Sequence, residues 1–205
     1  MLKPWVVEDS RITYADRWLK VRTDRCVSPS GPVIDPFHVL EYPAWVNVVA
    51  LTPDGEIVLV RQYRHGVQQI LLELPAGVVD PNDTPASAAL RELREETGFE
   101  AEELHLTGSM DANPATQTNR SWSFLATGVK RTGEQRLDDT EDIEVELQPF
   151  VAFADRVLRA EVNLQGLHLA GVHCAIWHVL RSADESLRRV REELRDLVLR
   201  YLSAR

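Results

Sequence analysis

The first forty residues alternate with a period of two. The segments "RITYAD", "RWLKVRTDRC" and "FHVLEY", all before about Tyr42, predict strands, because successive side chains of a strand point to opposite faces. "SPSGP" at 28–32 interrupts the alternation and predicts a hairpin turn. "WVNVVALTPDGEIVLVRQYR" is two β-rich runs joined by "TPDG", a second hairpin. "ILLEL" predicts a short buried strand, stopped by Pro75 and Gly77, and "LHLTGSM", "RSWSFLAT" and "IEVELQPF" predict three more.

The period then changes to that of a helix. Residues 84–97 are bounded by Thr84 as N-cap, Pro85 at the first helical position and Gly98 as the stop. Ala86, Ala89, Leu90 and Leu93 are expected on one face, with Glu92, Glu95 and Glu96 along its border. "FVAFADRVLRA" and "QGLHLAGVHCAIWHVL" predict two further helices. A last helix is expected from Asp184 to Ala204, with Leu187, Val190, Leu194, Leu197, Val198 and Tyr201 on one stripe. Many strands with interspersed helices and no regular βαβ alternation point to an α+β fold, a mixed sheet with helices packed on it.

Composition narrows the function classes. A chain of 205 residues with 44% hydrophobic and 27% charged positions suits one soluble domain with a sizeable core. The net charge of −9 argues against bulk nucleic-acid binding. An anionic small substrate stays open if a cation and local arginines mediate. Cys26 and Cys174 lie far apart and form no disulfide or metal framework, as expected of reduced thiols in the cytoplasm. No apolar run has the length of a membrane span, and "MLKPWVVEDS" has no long apolar core. His168, His173 and His178 are spaced by five residues, about 140° apart on a helix, and so do not converge on a metal.

Three carboxylates in the last turns of one helix need a physical reason. The helix dipole and like charges at i,i+4 each disfavour them by a few tenths of a kcal/mol. A hard divalent cation reverses both effects, since Mg2+ takes carboxylate oxygens and keeps positions open for substrate phosphates. The frame around them is specific. Gly77, five residues, Asp83, seven residues, then "RELREETGF" from Arg91 to Phe99 resembles the box of the Nudix hydrolases. Asp83 stands where the family carries Glu, and Phe99 is a mild variant of a bulky aliphatic position.

The resemblance implies a Nudix fold, a mixed sheet between helices, and Mg2+- or Mn2+-dependent cleavage of a nucleoside diphosphate linked to another group. It implies metal ligation by the Ala76 carbonyl, Glu92, Glu96 and Glu141, and catalytic roles for Arg91 and Glu95. Pro114, sixteen residues after Gly98, and "RQYRHGVQQILLELPAG" resemble the branch that hydrolyses ADP-ribose and nucleotide sugars. By that likeness Arg64 contacts a phosphate or terminal ribose and Glu73 a sugar. The acidic loop "DDTEDIEV" supplies Asp139 at the position of the catalytic base. Trp18, with Phe37, would hold the base in a homodimer formed by the N-terminal segment. The implied organisation is 1–42 as the dimerisation segment, 43–183 as the hydrolase domain and 184–205 as an added helix. Asn119 replaces an acid carried by some relatives, which keeps a GDP-sugar open as substrate. A non-catalytic sensor of nucleotide sugars should have lost one of Glu92, Glu95 or Glu96, and all three are present.

Overall fold

A computed structural model describes residues 1–203. The chain divides into two units, one of residues 1–44 and 110–120, the other of residues 45–109 and from Ser121 onward. The first is built on an antiparallel sheet of β1 (Val6–Ala15), β2 (Lys20–Val27) and β3 (Val33–Glu41), with β2 in the middle. Asp16 makes the first turn, its Oδ1 accepting from the amides of Trp18 and Leu19 at 2.7 Å each. The expected turn at 28–32 is present, with Gly31 at φ 101° donating to the Ser28 carbonyl at 2.9 Å. Every residue of the edge strand β1 is exposed.

The second unit holds β4 (Trp45–Leu51), β5 (Glu56–Arg64), β6 (Gln69–Glu73), β7 (Ala76–Val78), α1 (Pro85–Thr97), β8 (Phe99–Glu100) and most of β9 (Glu103–Asp111) and β10 (Arg120–Thr127). It continues with β11 (Lys130–Arg131), β12 (Ile143–Pro149), α2 (Phe150–Leu158), α3 (Gly166–Arg181) and α4 (Arg188–Ser203). Seven strands form one sheet in the order β12-β5-β4-β10-β9, with β6 on β5 and β7 on β4. The β4–β10 pair is parallel and the pairs of β5 with β4, β6 and β12 are antiparallel, so the sheet is mixed. Strand alternation sorts the side chains onto two faces. Val49, Leu51, Ile57, Leu59 and Leu125 pack with Phe150, Phe153, Val172 and Leu194 of the three later helices. Val46, Val48, Ala50, Val58 and Phe124 pack with Ala88, Ala89 and Leu93 of α1. The sheet is therefore sandwiched between α1 and the α2–α3–α4 layer, the α+β arrangement of a mixed sheet between helices that the sequence leads one to expect.

Three local expectations change. On α1 the buried line is Ala88, Ala89, Leu93, Glu96 and Thr97, while Ala86 and Leu90 face solvent. Packing selects this arc because its polar members find partners: Thr97 Oγ1 donates to the Leu93 carbonyl, and Glu96 accepts from the Ala76 amide at 2.9 Å. The last helix begins at Arg188, after a 3-10 turn over Glu185–Leu187 capped by Asp184. Its expected end at 204–205 lies outside the described residues. The short strands β7, β8 and β11 had no periodicity to announce them, since two or three residues carry none.

Candidate active site

The sequence fixes α1 at both ends. Thr84 Oγ1 accepts from the Ser87 amide at 3.1 Å and Ser87 Oγ accepts from the Thr84 amide at 2.8 Å, a reciprocal cap worth about 1 kcal/mol. Gly98 closes the helix at φ 74°, where a Cβ would come within 2.3 Å of the Gly133 carbonyl oxygen. That close approach ties the acidic loop to the helix end. The Arg136 amide donates to the Glu95 carbonyl at 2.8 Å, and Gln135 Nε2 donates to the carbonyls of Glu96 and Ile143 at 2.7 and 3.0 Å. The loop tip is a turn in which the Asp138 amide donates to Glu141 Oε2 at 3.0 Å. Asp139 is exposed at that tip.

Gly77 answers a spatial need. A Cβ there would lie 2.1 Å from Glu92 Cδ, so only glycine lets the Glu92 carboxylate rest against the β7 backbone. Arg91 is shared among four acids: Asp80 at 3.4 Å, Asp83 at 3.1 Å, Glu92 at 2.9 Å and Glu95 at 3.0 Å. Asp83, the shortened box acid, thus serves as a partner of Arg91. Burial pushes Glu92 up to about 7, against the pull of Arg91 and with the help of Glu95 and Glu141. Burial also raises Glu96 well above the carboxylate range, with Glu92 and Glu141 adding to it and the Ala76 amide opposing. Glu96 therefore feels the charge of Glu92, and both feel that of Glu141.

Among the described residues, no three His, Cys, Asp or Glu side chains are arranged to hold a metal ion. Arg91 occupies the carboxylates of Glu92 and Glu95, and the Ala76 amide occupies Glu96. The residues nonetheless fit a hard divalent cation. All the candidate donors are oxygens, and one guanidinium faces four carboxylates. Burial disfavours the charged forms of Glu92 and Glu96, and a cation would favour them. A cavity of about 400 Å3 beside α1 is lined by Arg91 and Glu95 of this cluster together with Leu90, Arg94 and Arg136, and neither Glu92 nor Glu96 lines it.

A second cluster sits at the end of β5 and β6. Glu73 is buried, and its Oε2 accepts from Arg64 Nη2 at 2.6 Å and Gln62 Nε2 at 3.0 Å. His168 of α3 is fully buried beside it, with Nε2 3.9 Å from Glu73 Oε2. Sequence reasoning placed Arg64 and Glu73 as candidates and left out Gln62 and His168. No signal pointed to His168, whose hydrogen-bond partner Leu74 is 94 residues away.

Trp18, Phe37 and Pro114 belong to the other unit. Trp18 is exposed, with the Arg17 guanidinium 4.2 Å from its ring centre. Phe37 meets Trp5 edge to face at 6.0 Å, and Pro114 is exposed.

The chain is similar to known proteins over most of its length. The profile of the NUDIX domain matches residues 41–166, and that of the nucleoside diphosphate sugar hydrolase N-terminal domain matches residues 5–40. An ADP-ribose pyrophosphatase of Mycobacterium tuberculosis is 34% identical over 154 residues, which is 74% of this chain and 73% of that one. An ADP-ribose pyrophosphatase of Bacillus subtilis is 34% identical over 109 residues, covering 53% of this chain and 59% of its own. A methanol dehydrogenase activator of Bacillus methanolicus is 30% identical over 133 residues, 64% of this chain and 71% of that one. Among solved structures, an ADP compounds hydrolase superposes with a TM-score of 0.75 at 19% identity, over 87% of this chain and 96% of that one, a likeness of fold. With the box geometry in place and the NUDIX profile spanning most of its length, this chain belongs to the Nudix family.

Proposed function

We propose that this protein hydrolyses the diphosphate linkage of a nucleoside diphosphate sugar, with ADP-ribose the first candidate, to a nucleoside monophosphate and a sugar phosphate. The observation that carries the reading is the half-buried Glu92 against the Gly77 backbone, beside the buried Glu96 on the Ala76 amide, with Arg91 shared among four acids. The match to a nucleotide-sugar N-terminal domain and the named activities of two relatives support the substrate class.

Glu92, Glu96, Glu141 and the Ala76 carbonyl would hold a divalent cation, Mg2+ or Mn2+. Such a cation neutralises phosphate charge and lowers the pKa of water. Arg91 keeps the box acids in place. Arg64, anchored below by Glu73, presents its guanidinium to a substrate phosphate. Asp139 takes a proton from the attacking water as its oxygen bonds to phosphorus. The bridging P–O bond breaks, and its electron pair leaves with the second phosphate.

The N-terminal sheet serves as a dimer interface in this reading, with Trp18 and Phe37 beside the nucleobase. The support is the exposure of all of β1, including Val6, Val7, Ile12 and Tyr14. Light scattering at micromolar concentration checks it, and a monomer overturns it. The substrate is tested with a panel of ADP-, GDP-, UDP- and CDP-sugars with Mg2+, reading phosphomonoester release after phosphatase treatment. Release from ADP-ribose above the other compounds is expected. Preference for a GDP-sugar moves the assignment to that class, and no release from any compound overturns it.

A further inference from the structure

His168 is a titratable group that the chemistry above does not use. It is fully buried at the start of α3, packed edge to face against Trp45 with ring centres 5.1 Å apart. Its Nδ1 accepts from the Leu74 amide at 3.3 Å. That bond assigns the ring proton to Nε2. Burial, with the Arg64 charge adding to it, lowers His168 to about 3, so the ring is neutral and its approach to Glu73 is no ion pair. The Nε2 edge lies 3.9 Å from Glu73 Oε2 and has no hydrogen-bond partner. A buried donor without a partner costs stability, about 1–3 kcal/mol, and native chains keep few of them. Here the donor faces the one oxygen that carries Arg64 Nη2 and Gln62 Nε2.

We propose that His168 is a positioning residue for Arg64. It holds the Leu74 amide with one nitrogen and backs the Glu73 carboxylate with the other, so that Glu73 presents Arg64 in one orientation to a substrate phosphate. Leu74 lies between Glu73 and the Pro75–Ala76 step into the box. One imidazole thereby links the Arg64 anchor to the strand that leads to Glu92 and Glu96. The inference rests on the diphosphate-hydrolase reading and adds a residue from a distant helix to it.

Two substitutions separate the two nitrogens. His168→Asn keeps an acceptor at the place of Nδ1 for the Leu74 amide and is too short to reach Glu73. His168→Gln places a donor where Nε2 lies. With ADP-ribose, or whichever diphosphate sugar the panel identifies, His168→Asn is expected to raise KM about tenfold, the size of one weakened charge-assisted hydrogen bond, with kcat within about twofold. His168→Gln is expected to restore a KM near that of the unmodified protein. In an Arg64→Ala background, His168→Asn is expected to add nothing to KM, because its effect passes through that arginine. Binding of the α,β-methylene analogue of ADP-ribose, followed by calorimetry with Mg2+, gives the same comparison without turnover. An unchanged KM and analogue affinity in His168→Asn overturns the proposal, as does a full additional effect in the Arg64→Ala background. If the unmodified protein neither cleaves nor binds any diphosphate sugar, the functional reading itself fails, and this inference falls with it.

Discussion

Arg64 holds Glu73 through two nitrogens, with Nε 2.9 Å and Nη2 2.6 Å from the same carboxylate oxygen. The acid is buried at 2% side-chain exposure and the arginine is 41% exposed. The pair is thus a cation anchored at its base and open at its tip. Replacing Glu73 by Gln removes the anchoring charge and leaves the shape. KM for the diphosphate substrate is expected to rise about tenfold, the scale of one charge-assisted hydrogen bond. Because Arg64 stays hydrated at its tip, the stability cost is expected to be about 1 kcal/mol or less in urea unfolding. Unchanged KM would remove Arg64 from the phosphate site.

Glu96 sits at the buried edge of the carboxylate group, bonded to the Ala76 amide. Glu96→Gln keeps an acceptor for that amide and deletes the charge. Turnover is expected to fall about a thousandfold, as several kcal/mol of transition-state charge stabilisation is lost, with the circular dichroism melt within a few degrees of the original. Near-normal turnover at saturating Mg2+ would contradict the metal role.

The raised carboxylates give a pH signature with a definite sign. Glu92 titrates near 7 when folded against 4.5 otherwise, so its contribution is full below 4.5 and is lost as pH rises through 7. Glu96 shifts in the same direction. His168 has the opposite sign: folded near 3 against 6.5, it lowers stability as pH falls through that window. In chelator, the melting temperature is expected to fall as pH rises from 6.5, where the opposing His168 effect ends, through 7, and Mg2+ is expected to restore it at pH 8 but hardly at pH 5. Glu92→Gln should flatten that fall. A Mg2+ effect of equal size at both pH values would show that the cation does not act through these acids.

Gly77→Ala inserts a methyl 2.1 Å from Glu92 Cδ. Glu92 or the β7 backbone must move, at a cost of about 1–3 kcal/mol. Activity is expected to drop by about a hundredfold or more, since misplacing a catalytic group by an ångström has that effect. A fully active, equally stable variant would mean that Glu92 is free to leave the backbone without consequence.

The proposed reaction leaves two carboxylates as candidates for the base. Glu95 is engaged by Arg91 at 3.0 Å, whereas Asp139 is exposed on the loop tip. Asp139→Asn is expected to lower kcat by about a hundredfold or more with little change in KM. If Asp139→Asn keeps its kcat and Glu95→Gln loses it, the base is Glu95.

The sequence alone carried the box and most of the strands. Strand alternation in "WVNVVAL" and "EIVLV" is enough to sort Val46, Val48 and Ala50 from Val49 and Leu51, because the side-chain period of a strand leaves only two faces. Thr84, Pro85 and Gly98 set the ends of α1 by local chemistry that needs no partner from afar. The candidate acids were legible for the same reason: they share one short helix, and their spacing is a local property.

Which arc of α1 turned inward was not local. Leu90 looked apolar enough to be buried, yet the packing of α1 on β4 and β7 buried Glu96 and Thr97 instead. The choice depends on the Ala76 amide, which lies twenty residues upstream of Glu96. Composition gave Arg91 one charge among many, and only the folded loop gathered Asp80, Asp83, Glu92 and Glu95 around it. His168 is the furthest case. Its helical spacing marked it only as unable to join His173 and His178, and the fold brought it to Leu74 and Glu73. Periodicity and capping are set by neighbours within a few residues, so sequence determined the elements and the box. Burial, the sharing of a charge and the meeting of Glu73 with His168 depend on the closing of the sheet between its helix layers, and those the tertiary structure decided.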